Sequence, residues 1–325
     1  MPILSVLIFL PVVVAFILMW IPAEAKSVHR NVALGATLLE LALLIPLWQG
    51  YDPNGALFQM GESSESTVFG IQYLLGIDGP ALLLIAMTIV LMPIVVLSTY
   101  SAVDDRVREF VIALLLLQSA MIGAFCALDM FVFYIFWEFM LIPMALLVGV
   151  WGGERRIYAA VKFFLYTLAG SLLMLVAILY LHHKAGSDGF AVTEIAGTLQ
   201  NSLSETEQLW LFGAFALAFA IKVPLFPVHT WLPDAHTEAP TAGSVVLAAV
   251  MLKMGIYGLY RFAIPMFPEA LGTLSPLLIS LAVVAIIYGA LVAYAQTDMK
   301  RLVAYSSVSH MGFVMLGVLT MNPEG

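Results

Sequence analysis

Hydrophobic positions in this chain fall in long unbroken blocks, not in short alternating runs. The blocks cover roughly 3–20, 32–49, 80–99, 110–127, 130–150, 163–182, 209–231, 241–263, 275–295 and 302–320. A helix needs about 20 apolar residues to cross the hydrocarbon core of a bilayer, so each block predicts a membrane-spanning helix. Most connections are short. Two are longer, 50–79 and 183–208, and their Gly, Ser and acidic residues predict polar surface loops. Neither has room for a nucleotide-binding domain. The pattern therefore predicts an all-α polytopic bundle of about ten transmembrane helices embedded in a lipid bilayer.

Composition agrees. Of 325 residues, 62% are hydrophobic and 10% charged, against roughly 45–50% and 25% in soluble domains. Mean hydropathy is +1.01. So few charges cannot cover a water-facing surface. The balance of 13 basic and 21 acidic residues leaves no basic face, which argues against nucleic acid as a partner. A single cysteine, Cys126, can build neither an intrachain disulfide nor a thiolate metal or iron–sulfur site. Ala23-Glu24-Ala25 has the small-x-small form of a cleavage site. No Lys or Arg precedes Lys26, however, and the apolar run from Ile3 to Trp20 is long enough to span, which favours a retained first helix.

Basic residues predict the orientation. With connections on alternate sides, one side receives Lys26, Arg30, Arg106, Arg108, Arg155, Arg156, Lys162, Lys300 and Arg301, and the other only Lys184 and Arg261. That asymmetry places the first group in the cytoplasm and both long loops and both termini outside. Lys222 and Lys253 belong to neither side, because they lie inside predicted helices.

An ionisable group in a spanning helix costs about 2.5–3.5 kcal/mol on insertion scales, so Glu138, Lys222 and Lys253 together cost about 8–10 kcal/mol if nothing offsets them. Glu138 has Tyr134, Ile135, Leu141 and Ile142 as helical neighbours and no basic residue on its own helix. It reads either as a structural carboxyl bonded to backbone or as a proton-carrying group whose partner lies on another helix. Lys222 sits too far inside its helix to reach water easily by extending its chain. Pro224 and Pro227 follow it and break the helix by removing donors and clashing with the preceding turn. Interrupted helices at membrane depth occur in protein or beside a wet cavity, and they are common at transporter ion sites. Lys253 lies among Ala242, Gly243, Ser244, Ala248 and Ala249. Small residues explain close helix packing, but not the lysine. Burial and mutual repulsion disfavour the charged form of two lysines unless carboxylates offset them, which suits both to proton exchange.

His229 and His236 flank Trp231-Leu232-Pro233-Asp234, and with Asp234 they are candidates for a polar path entrance. The same three could be metal ligands, but neither a helical i, i+4 His pair nor a third strong ligand is visible. His310 is expected to be buried with Ser306, Ser307 and Ser309, as a proton relay or as backbone satisfaction by a hydroxyl stripe. Glu40, a lone acid in the second helix, could equally pack against a neighbouring subunit.

The run from His229 to Gly255, including His229-Thr230-Trp231-Leu232-Pro233-Asp234-Ala235-His236-Thr237-Glu238-Ala239-Pro240-Thr241-Ala242-Gly243-Ser244 and Leu252-Lys253-Met254-Gly255, resembles the signature of a known family. That family is the antiporter-like membrane subunits of respiratory complex I, of the subunit M or chain 4 type. Phe136-Trp137-Glu138 and Asp298-Met299-Lys300-Arg301-Leu302-Val303-Ala304-Tyr305-Ser306-Ser307 resemble two further family blocks, and the likeness covers nearly all of the chain. It implies a proton-translocating subunit of NADH:quinone oxidoreductase with no redox centre of its own. NADH, FMN, iron–sulfur clusters and quinone would be bound by other subunits, and the partners would be other membrane-arm subunits in a bacterial inner membrane.

The resemblance further implies fourteen helices containing two inverted five-helix repeats. By position, Glu138 matches the family's fifth-helix glutamate, Lys222 the lysine of its broken seventh helix and Lys253 that of its eighth. His310 is the topological counterpart of Glu138 in the second repeat. Residues 1–108 then form an N-terminal three-helix segment, 109–264 the first repeat and 265–325 the start of the second. Because the chain ends at Asn322-Pro323-Glu324-Gly325 after ten helices, the second repeat is expected to be incomplete and the remainder to be missing or encoded separately. Lys222 balanced by Glu138 is the expected proton-holding pair, with Lys253 next along the path. Competing readings are a subunit of a multisubunit Na+/H+ antiporter or membrane-bound hydrogenase, and a structural membrane scaffold with vestigial charges.

Overall fold

The computed structural model describes residues 2–186, 189–199 and 202–322. The terminal Pro323-Glu324-Gly325 lies outside them. In chain order the elements are α1 (Ile3–Met19), α2 (Lys26–Gln49), β1 (Gln59–Val68), β2 (Ile71–Ile77), α3 (Gly79–Ala102), α4 (Val107–Cys126), α5 (Met130–Phe139), α6 (Leu141–Trp151), α7 (Arg156–Ala185), α8 (Val192–Leu199), α9 (Glu205–Lys222), α10 (Trp231–Glu238), α11 (Thr241–Val246), α12 (Leu252–Gly258), α13 (Ile264–Met266), α14 (Pro268–Tyr294) and α15 (Met299–Leu319). Two π-helical turns, Leu247–Met251 and Leu259–Ala263, flank α12. Helices dominate because a spanning segment must satisfy its backbone within itself.

Eight helical stretches among the described residues are long and apolar enough to cross a membrane, and α5 with α6, and α11 through α13, each count as one. The other two predicted spans are α1, apolar but 17 residues long, and α9, whose 18 residues carry Glu205, Glu207 and Lys222. Several helices start earlier than the apolar blocks. The charged first turns of α7 and α14 are helical too, which moves Lys162 from a connection into α7. Arg261, expected at the membrane surface, is 5% exposed, and its Nε and Nη2 donate to Tyr257 Oη at 3.1 and 3.0 Å.

The chain divides into two compact units. The first comprises Met1–Leu147, Asp188–Ala191 and Pro240–Val246. Within it α1 packs on α2 and α4, and α2 packs on α3 and α4. The segment 50–79, expected to be a loop, contains an antiparallel hairpin in which Glu62 faces Leu75 and Ser63 faces Leu74. Phe69 and Gly70 turn it, both at positive φ (54° and 79°), as a two-residue type I′ hairpin requires. Glu62 accepts hydrogen bonds from Leu4 N at 2.7 Å, Ser5 N at 3.0 Å and Ser5 Oγ at 2.5 Å, which caps α1. Asp129 Oδ1 caps α5 through Phe131 N and Val132 N, while its Oδ2 accepts from Gln72 N of β2.

The second unit comprises Val148–Ser187, Val192–Ala239 and Leu247–Gly325. Its helices α7, α10 and α15 pack in sequence, α9 packs on α7, α12 and α14, and α14 lies along α15. Glycines make the last contact close. A Cβ at Gly289 would lie 2.8 Å from Ser309 N, and one at Gly312 2.9 Å from Ala282 O. Ser204 and Glu207 form a capping box at the start of α9, and Asp298 caps α15 through Arg301 N.

Candidate functional site

Pro224 opens the backbone ladder just beyond Lys222. Lacking an N–H, it cannot bond Ala220 O, and Leu225 N takes that carbonyl at 2.8 Å instead. The shift removes the ordinary partner of Ile221 O. The indole Nε1–H of Trp231, the first residue of α10, donates to it at 2.8 Å. The broken segment 223–230 is thus closed by a side chain from its far end. The Phe226–Pro227 peptide within it is cis.

Lys222 ends α9 and is 1% exposed. Its Nζ lies 6.0 Å from the ring centroid of Phe163 on α7, within cation–π range. That ring in turn packs on Trp231 at 5.3 Å. Lys253 is half-buried near the start of α12, directly after the first π-helical turn. Its Nζ donates to Ala248 O, inside that turn, at 2.6 Å. Two residues further on, Gly255 brings α12 against the end of α9. A Cβ there would lie 2.8 Å from Phe219 O and 2.7 Å from Val223 Cγ2. Both lysines therefore flank one close backbone contact.

The expected path-entrance residues stand on and just before α10. His229 is buried, with its ring stacked on Phe226 at 5.7 Å and near Tyr288 and Tyr305 at 5.2 and 6.5 Å. Asp234 Oδ2 pairs with Lys162 Nζ at 2.7 Å, both side chains about one-fifth exposed. The neighbouring Tyr166 and Thr230 hydroxyls are 3.0 Å apart. His236 is buried. Lys300 Nζ bonds Thr237 O and Ala239 O, a cation on the carbonyl end of α10. Glu238 anchors the α6–α7 connection by accepting from Gly153 N on its backbone carbonyl and from Arg155 N on Oε2. No group of three or more His, Cys, Asp or Glu side chains among the described residues could hold a metal ion.

Two expectations change. His310 is exposed in this chain, not buried, and its Nδ1 lies 3.3 Å from Ser306 Oγ. Successive residues turn by about 100° in a helix, so Ser309 takes the inward position and donates to Ile286 O of α14 at 2.9 Å. Glu40 packs inside the chain, 0% exposed, and its Oε2 accepts from Gln118 Nε2 of α4 at 2.5 Å.

Glu138 stands in the first unit, half-buried near the end of α5. Anchored at Asp129, α5 carries it about 13 Å along the helix axis from the cap. Lys222, Lys253, His229, Asp234, His236, His310, Pro224 and Pro227 all belong to the second unit.

The profile of the NADH:quinone oxidoreductase/Mrp antiporter transmembrane family matches residues 127–325. The chain belongs to that family. It is 46% identical to NADH-quinone oxidoreductase subunit M of Rhodobacter capsulatus over 99% of its own length and 65% of the relative's. It is 44% identical to NADH-ubiquinone oxidoreductase chain 4 of Arabidopsis thaliana over 99% of its length and 64% of the relative's. Among solved structures, a chain of respiratory complex I from Thermus thermophilus with bound NADH superposes with a TM-score of 0.86 at 34% identity, covering 100% of this chain and 66% of that one. The chain thus spans just under two thirds of the length of these relatives, and with its family match and long apolar helices it is a multi-pass membrane protein.

Within this family fold, the π-turn that supplies a carbonyl to Lys253 and the partners Lys162 and Gln118 were not read from the sequence. Lys162 falls just outside a predicted span because the apolar block begins one residue later. Gln118 is neutral and sits in an otherwise apolar run.

Proposed function

We propose that this chain is a proton-translocating membrane-arm subunit of an NADH:quinone oxidoreductase. Other membrane-arm subunits are its partners, and NADH, FMN, iron–sulfur clusters and quinone are bound elsewhere in the assembly. The membrane is the bacterial inner membrane, with the termini of this segment on the outer side. Residues 109–264 form one inverted repeat, 265–325 open the second and 1–108 precede both. Glu138, Lys222 and Lys253 carry the proton, His229, Asp234 and His236 line its way in, and His310 extends the path.

The observation that carries this reading is Lys222, sealed at a helix break whose freed carbonyl is taken by an indole. A charged group placed there gains from the cation–π contact, and its protonation responds to small movements of the broken turn. In the transfer step the Lys222 ammonium loses its proton and the neutral amine of Lys253 gains it, directly or through water. Moving one charge against 100 mV costs about 2.3 kcal/mol. A hundredfold change in a lysine's proton affinity supplies about 2.7 kcal/mol, so a modest rearrangement is sufficient. The work comes from quinone reduction in the assembled complex.

The test is proton uptake per NADH oxidised in vesicles holding the complete complex with Lys222→Ala or Glu138→Gln. Both variants should pump less. Unchanged stoichiometry in both overturns the reading. The family also includes Mrp antiporters, which supports a second reading as a cation/proton exchanger subunit. Sodium-dependent pH changes in vesicles without NADH dehydrogenase activity would favour it.

A further inference from the structure

The proposed path leaves one fully buried carboxyl unused. Glu40 and Gln118 face each other between α2 and α4, both 0% exposed. Only one hydrogen bond joins them, Gln118 Nε2 to Glu40 Oε2. Glu40 Oε1 and Gln118 Oε1 are buried and have no other hydrogen-bond partner among the described residues. Two acceptor oxygens without a donor are costly in a dry interior, and a carboxylate without a cation is costlier.

No cation is at hand on the helices around them. α2 packs against α1, α3 and α4. α1 and α3 carry no charged side chain. On α2 the basic residues are Lys26, His29 and Arg30, and on α4 the charged residues are Arg108 and Glu109. All lie nine or more residues from Glu40 or Gln118 along their helices, about 13 Å or more. Lys26 bonds Asp104 O, His29 bonds Pro22 O and Arg30 bonds Val103 O and Asp104, while Arg108 pairs with Glu109. Thr37, one turn before Glu40, spends its hydroxyl on Leu34 O.

We propose that Glu40 and Gln118 form a proton-holding site in which Glu40 is a neutral carboxylic acid. It accepts from the amide at Oε2 and donates its own O–H from Oε1 to Gln118 Oε1. One bound proton then satisfies both leftover oxygens and removes the uncompensated charge. Exchanging the amide's nitrogen and oxygen strengthens the case. Two oxygens would then face each other at the 2.5 Å contact, and only a proton between them makes that distance attractive. The site is separate from Lys222 and Lys253 and does not depend on their role.

Infrared spectra of the assembled protein at neutral pH decide it. The difference between the native protein and Glu40→Gln should contain a carboxylic-acid C=O stretch lost in the variant, with no loss of carboxylate bands. In Gln118→Leu the same stretch should move to higher frequency, because the acid has lost its amide partner. Loss of carboxylate bands in Glu40→Gln overturns the proposal. If Glu40→Gln does not assemble, the native and Gln118→Leu spectra suffice, and an acid band unmoved by the loss of Gln118 overturns the pairing.

Discussion

The α2–α4 contact and the α9–α10–α12 segment both bury a titratable side chain, and they differ in what the backbone contributes. Around Glu40 and Gln118 neither helix carries a π-turn, and Pro46, the proline inside α2, lies six residues beyond Glu40, so the partner there is another side chain. Around Lys222 and Lys253 the ladder is opened, by Pro224 in one place and by a π-turn in the other. There, carbonyls act as partners: Ile221 O for an indole and Ala248 O for an ammonium. A reciprocal side-chain pair has one good geometry and holds its proton. A cation resting on a carbonyl of an irregular turn can exchange it for another acceptor with little backbone motion. On the proposed reading, a buried titratable group held by a side-chain partner keeps its proton, and one beside irregular backbone exchanges it.

The largest effect on function should follow removal of the cation at the break. Lys222→Ala is expected to slow NADH-driven proton translocation by about tenfold or more, at least about 1.4 kcal/mol on the barrier, measured as the rate of acidification in vesicles. Translocation at the native rate would break the comparison, because the irregular region would then be structural. The largest effect on stability is expected at the close approach of α12 to the end of α9. Gly255→Ala places a Cβ within 3.0 Å of Phe219 O, Val223 Cγ2 and Val223 N. Since backbone cannot yield as a side-chain tip does, the cost should be about 2–3 kcal/mol of stability, read from denaturation in detergent. A Gly255→Ala protein as stable as native would show that the broken turn moves freely.

How much of this could be read from the sequence follows from the same physics. Spans are legible because lipid demands long apolar blocks, and Pro224 and Pro227 mark the break because proline lacks a donor. Lys222 and Lys253 stand out by charge. The inward face of a helix is harder to read, since lipid-facing and protein-facing positions are equally apolar. His310 and Ser309 are adjacent, and packing of Gly289 and Gly312 against α15 and α14 sent the serine inward and the histidine outward. The π-turn before Lys253 runs through Leu247-Ala248-Ala249-Val250-Met251, which reads as ordinary apolar helix. The hairpin was hidden by a first strand without apolar alternation, Gln59-Met60-Gly61-Glu62-Ser63-Ser64, although Phe69-Gly70 before Ile71-Gln72-Tyr73-Leu74 was a usable turn signal.

A third test sharpens the regular side of the comparison. Gln118→Leu keeps the size of the side chain and removes the amide, leaving Glu40 with a buried acid and no partner. The expected loss is about 1–2 kcal/mol, seen as a lower denaturation midpoint at neutral pH. No loss would mean that Glu40 is satisfied without Gln118, and the distinction between side-chain and backbone partners would lose one of its two supports.

The smallest effect is expected at the edge of the same unit. Four N–H groups at the start of α1 lack helical partners, and Glu62 accepts from two residues of that first turn while its charge opposes the positive helix end. The carboxylate is only half-buried, so water replaces much of what Glu62→Ala removes. The cost should be about 1 kcal/mol, and the Glu40 acid band should not move. Because Ser5 Oγ also contacts Tyr73 Oη at 2.8 Å, the hairpin keeps a second tie to α1. A loss above about 3 kcal/mol, well beyond an ordinary cap, would mean that the hairpin is part of what holds α1 on α2 and α4. The regular region would then owe its rigidity to a β-element outside its helices, and the contrast with the broken region would have to be drawn between whole units instead of between two kinds of backbone.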